Sequence, residues 1–153
     1  MNMDMDKKRL SRILARADKK IIADLSAEIK KIYSPVVIKE PGKTLAMIKM
    51  REPVKKSLFY IGEAIVCEAA VEIGGVKGVA VAMGDDTEKI LDMAIIDAAV
   101  NKGVFTGIDK LAELEKEQED KIMRENAMHL KTMVNFQSMD TEAPNDVNAF
   151  KKA

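Results

Sequence analysis

A chain of 153 residues suits one hydrophobic core, and with Lys+Arg and Asp+Glu both at 25 it has no overall positive excess to draw in a phosphate backbone. Nucleic-acid binding is therefore disfavoured, although a local basic patch stays open. No apolar run is long enough to span a bilayer, and the polar start Met1-Asn2-Met3-Asp4-Met5-Asp6 lacks a signal-peptide core, so no membrane contact and a cytoplasmic location are expected.

Leu10, Ile13, Leu14 and Ala17 recur at helical spacing across residues 7–18. Asp18 reads as the cap of a second helix, whose stripe is Ile21, Ile22, Leu25, Ile29 and Ile32. Ser34-Pro35 stops it, because proline disfavours helical geometry in the residue before it. Val36-Val37-Ile38 predicts a short strand ended by the turn pair Pro41-Gly42. A second strand, Thr44 to Met50, puts Thr44, Ala46, Ile48 and Met50 on one face, with Lys49 and Arg51 toward the other. Glu52-Pro53 ends it.

Ser57 to Ile73 is longer than an ordinary strand, which predicts a bend or bulge near Gly62. Gly74-Gly75 is a hairpin signal before Val76 to Met83. With a two-residue turn there, Glu72 faces Lys77, and Cys67, Ala69, Val71, Gly78, Ala80 and Ala82 form a small-residue face for a helix. That helix opens at Gly84-Asp85-Asp86-Thr87-Glu88, with Asp85 as cap and Glu88 completing a capping box. It is apolar on nearly all sides to Val100 and stops at Asn101-Lys102-Gly103. A long last helix runs from Ile108 to about Phe136, and its middle, Glu113 to Lys121, reads as too polar to pack in a core. The expected fold is α+β: an antiparallel four-stranded sheet with two N-terminal and two C-terminal helices, the last one long. One domain is expected over residues 1–139, with a disordered polar tail over 140–153.

Chemistry-bearing residues are scattered. Gly74-Gly75-Val76-Lys77-Gly78 is followed by a strand, whereas phosphate cradles lead into a helix. Glu63 falls in phase with Phe59, Ile61, Ile65, Cys67 and Ala69, so it needs a partner or a bulge that turns it outward. Asp97 sits in the last turn of a buried helix, where the helix dipole disfavours negative charge. A compensating donor is expected, from this chain or from another subunit. Cys67 reads as a buried small hydrophobe and His129 as a surface helix residue. No Ser/His/Asp, Cys-x-x-Cys or paired-histidine set exists, so no catalytic residue and no metal site is assigned.

Phe59-Tyr60-Ile61-Gly62-Glu63-Ala64, continuing to Ala69-Ala70-Val71, resembles the PhnG family of the bacterial carbon–phosphorus lyase core complex. Gly78, Gly84, Asp86, Ala94 and Ile96-Asp97-Ala98 continue that pattern at the family's spacing, and Val134-Asn135-Phe136 with Ser138-Met139 is similar to its closing segment. Asn135 stands where the family has Asp, and Ser138 where it has Thr. The likeness covers about residues 12–139. It implies a non-autonomous subunit working with PhnI, PhnH, PhnJ and PhnL. With PhnI, PhnH and PhnL the family is needed to transfer an alkylphosphonate to C1 of the ribose of ATP, releasing adenine. ATP is then a substrate of the complex, and no cofactor is expected on this chain alone. It also marks Phe59, Gly62, Glu63, Asp86, Asp97 and Phe136 as interface or structural candidates. Two other readings stay open: a small metal-dependent enzyme using Glu63, Asp85 and Asp86, and a DNA-binding regulator using the N-terminal helix pair.

Overall fold

The computed structural model describes residues 6–134. Its elements are α1 (Lys7–Arg16), α2 (Lys19–Ile32), β1 (Val36–Arg51), β2 (Leu58–Ile73), β3 (Val76–Met83), α3 (Thr87–Lys102) and α4 (Ile108–Lys131). One compact unit extends through Glu119, and a second begins at Asp120 within α4. Phe136 and the tail expected over 140–153 lie outside the described residues.

The sheet is antiparallel in the order β1-β2-β3, so the expected four strands are three. The two strands foreseen on either side of Pro41-Gly42 are one, β1, paired with β2 from Val36↔Glu72 to Arg51↔Leu58. Pro41 does not turn the chain, because β1 lies at the sheet edge, where a residue without an N–H is tolerated. The surplus length goes into register shifts between Val37 and Lys39 and between Lys39 and Gly42. The expected bulge near Gly62 is present: Ile48 pairs Gly62 while Lys49 pairs Tyr60, leaving Ile61 as the extra residue.

The β2–β3 hairpin closes through Gly74 and Gly75, both at positive φ (53° and 83°), and Glu72 faces Lys77 as the turn length requires. Cys67, Ala69, Val71 and Ala80 are buried, and α3 packs over them. Contact is closest at Gly78: a Cβ there would stand 2.3 Å from both the Ala94 carbonyl oxygen and the Ala98 nitrogen. The small-residue face thus brings helix backbone directly onto strand backbone.

Asp86, one residue after the expected Asp85, occupies the N-cap of α3 and accepts the Lys89 amide at 3.0 Å. Gly103 ends the helix in the left-handed region, with its own N–H bonded to Val100 and that of Val104 to Ala99. On the other side of α3, the α2 residues Ile22, Leu25 and Ile29 join the core, as do Leu10, Ile13 and Leu14 of α1. The polar middle of α4 departs from its solvated reading. Leu114 and Glu115 are buried there, because Arg9 and Arg12 on α1 supply the countercharge that Glu115 needs.

Candidate functional site

Three carboxylates spaced along α3 each meet a lysine from the N-terminal helices. At its N-terminus Asp86 pairs with Lys19 at 3.1 Å. The Lys89 amide, with help from Lys19, holds the Asp86 carboxyl below the usual carboxylate range. Midway, Asp92 accepts from Ser26 Oγ at 2.7 Å and Lys30 Nζ at 2.6 Å. Near the C-terminus Asp97 is 3% exposed, and its Oδ2 meets Lys7 Nζ at 3.2 Å. Lys89 adds a fourth link by donating to the carbonyls of Ala15 and Ala17 at the end of α1. Burial pushes its ammonium pKa down. These links orient α1 and α2 on α3, beyond what an apolar stripe specifies.

Asp97 has a second task. Its Oδ2 accepts the Val79 amide at 2.8 Å, and Asn101, one helical turn on, donates to the Lys77 carbonyl at 2.9 Å. Both backbone groups belong to β3, the sheet edge opposite β1. Side chains from α3 thereby occupy positions at Lys77 and Val79 where another strand would bond. The donor expected for Asp97 lies within this chain. Its other oxygen, Oδ1, is buried and has no hydrogen-bond partner among the described residues.

Among the described residues no strand pairs with the opposite edge, that of β1. β3 pairs with β2 only over Val66–Ile73, so Leu58–Ile65 and the β1 residues beside them form a two-stranded ribbon. Large apolar side chains lie exposed on both of its faces. Leu45 (60%), Met47 (59%) and Ile65 (59%) share one face, while Ile48, Met50 and Phe59 (43%) share the other. So much contiguous apolar surface is characteristic of a contact site for another macromolecule. The tip is basic, with Lys49, Arg51, Lys55 and Lys56 beside the single acid Glu52. Lys49 lies over the Tyr60 ring at 5.7 Å, and Arg51 and Glu52 hold the turn through bonds to the backbone of Lys56, Val54 and Lys55.

Phe59, Gly62 and Glu63 all fall on this ribbon, whereas Asp86 and Asp97 fall on α3; the five do not converge. Phe59 and Glu63 do not share a face as their spacing suggested. The extra residue at Ile61 reverses the alternation between them, and Glu63 is exposed beside Met47. Sequence reasoning missed Asp92, Asn101 and the Arg9–Glu115 pair. The only signal for the last was Arg9 and Arg12 at a three-residue spacing, which puts both on one face of α1.

Among the described residues no three His, Cys, Asp or Glu side chains gather as a metal would require. Asp85 and Asp86 face Lys43 and Lys19, and Glu63 stands apart on the ribbon. On the helix pair that suggested DNA binding, Lys7, Arg9, Arg12, Lys19 and Lys30 pair with carboxylates of this chain. No helix among the described residues is long and apolar enough to cross a membrane.

A family model described as "Phosphonate metabolism protein PhnG" matches residues 5–140. No curated protein matches the chain.

Proposed function

The chain belongs to the PhnG family of phosphonate metabolism proteins, and from that membership we propose that it is a non-autonomous subunit of a carbon–phosphorus lyase core complex. In this reading it works with PhnI, PhnH and PhnL to transfer an alkylphosphonate to C1 of the ribose of ATP, with release of adenine. PhnJ completes the assembly. The reaction takes place in the cytoplasm. This chain contributes structure and contact surface, and its partners contribute the reacting groups.

The observation that carries the reading is the uncovered β1–β2 ribbon. It holds the run Phe59-Tyr60-Ile61-Gly62-Glu63, and it leaves large apolar side chains in water on both faces. Such exposure is costly for a chain that acts alone and is useful to one that is covered in an assembly. The titratable groups support the same division of labour. Asp86, Asp92, Asp97 and Glu115 are committed to internal hydrogen bonds and ion pairs.

The test is reconstitution. Co-expressed PhnI, PhnH, PhnL and this chain should convert ATP and methylphosphonate with release of adenine, and omission of this chain should abolish that release. Turnover by this chain alone, or undiminished turnover without it, would overturn the proposal.

A further inference from the structure

We propose that the open edge of β1 at Lys43–Arg51 is a strand-addition site for an extended segment of a different protein chain, apolar at its centre and acidic toward its ends. The inference rests on the reading that this chain assembles with others. It adds which surface is used and what kind of segment the surface takes.

Three observations converge on this stretch. First, among the described residues its backbone is unpaired on one side. The Gly84 amide bonds to the Ile65 carbonyl, so Ile65 turns its backbone away from β1. Its cross-strand partner Leu45 must then turn outward as well, and alternation gives Lys43 and Met47 the same orientation. Second, two other stretches are obstructed: Asp97 and Asn101 engage the β3 edge at Val79 and Lys77, and Pro41 interrupts the β1 edge before Lys43. Third, the flanking side chains are apolar in the middle, at Leu45 and Met47, and cationic toward the ends, at Lys49 and Arg51 and at Lys43, which also meets Asp85 at 3.5 Å.

Charge selects the occupant. Residues 43–51 contain no acid, so a second copy of this chain would bring cations against cations; centred on Met47, Lys43 would fall opposite Arg51 twice. The basic residues thus oppose self-pairing while favouring an acidic partner segment, which gains main-chain bonds from the edge and specificity from alternate side chains.

Hydrogen exchange on the full chain, alone and in the co-purified complex, tests the inference. The Leu45 and Met47 amides should exchange at least about tenfold more slowly in the complex. Met47→Pro removes an outward N–H that β2 does not use. It should weaken co-purification at least about tenfold, as should Lys49→Glu with Arg51→Glu, while circular dichroism of the isolated chain stays the same. Unchanged exchange at both amides in an intact complex, or full assembly by Met47→Pro, would refute strand addition and leave the subunit role standing. Protection that grows with the concentration of this chain alone would replace the partner strand by a second copy and also refute it. If the unaltered chain enters no complex, the subunit reading itself fails, and this inference with it.

Discussion

Arg9 and Glu115 join α1 to α4 across 106 positions of sequence: the Arg9 Nε lies 2.9 and 3.0 Å from the two oxygens of the Glu115 carboxylate. Arg12 reaches the same group at 3.4 Å. The Arg9 hydrogen bonds are the main cause holding the Glu115 carboxyl below its ordinary range, and Arg12 adds to them. A depressed carboxylate contributes stability that is present above its unfolded-state pKa and lost as pH falls through its lower folded-state value. Stability should therefore decline on acidification through the range just below ordinary Glu titration. Glu115→Gln should lower the neutral-pH melting temperature and flatten that decline. Glu117→Gln, at an exposed site on the same helix, should change neither. Thermal melts from pH 7 to pH 3 would show the difference.

Gly78→Ala should be among the most damaging single-methyl changes in the chain. The new Cβ meets backbone atoms of Ala94 and Ala98, which cannot rotate away, so α3 must lift from the sheet. Overpacking of this kind costs about 3 kcal/mol. Urea unfolding of the purified variant would measure the loss; a cost under about 1 kcal/mol would mean that α3 yields easily.

Asp97→Ala leaves the Val79 amide and the Lys7 ammonium without their acceptor, at a cost of about 2 kcal/mol. Asp97→Asn keeps an acceptor for the amide and should cost less. The two variants also separate structure from chemistry. If Asp97 serves only the fold, a complex containing the Asn variant should release adenine at the unaltered rate.

Asp85 and Asp86, adjacent in sequence, should respond differently. Asp86→Ala removes the cap of α3 and should cost about 1 kcal/mol. Asp85→Ala touches an exposed carboxylate 3.5 Å from Lys43 and should be nearly silent. Equal losses in chemical denaturation would show that capping is not what separates them.

Phe59→Ser should behave in the opposite way to a core substitution. At 43% exposure the ring contributes little to the isolated fold, so stability should stay within about 0.5 kcal/mol of the unaltered chain. Co-purification with PhnI and adenine release should both fall. A large loss of stability with assembly intact would place Phe59 in the fold rather than at a contact.

Local rules made much of this protein readable from its residues. Helix periodicity located α1 and α2, start and stop signals located α3, Gly74-Gly75 defined a hairpin register that put Glu72 opposite Lys77, and Gly103 marked a helix end. Each depends on neighbours within a few positions, which is why spacing alone revealed them. The long-range pairings were hidden. Whether Pro41-Gly42 turns the chain or is absorbed depends on what lies alongside it, and only the run of β2 beside an edge strand decided for absorption. Glu115 reads as solvent-facing until Arg9 and Arg12 are brought to it, because burial of a charge depends on partners that folding supplies. The Asp97 and Asn101 contacts on the β3 edge and the exposed apolar residues of the β1–β2 ribbon are likewise properties of the assembled sheet. A strand's own residues say which side chains are apolar, but only the elements packed around it determine which of them stay in water.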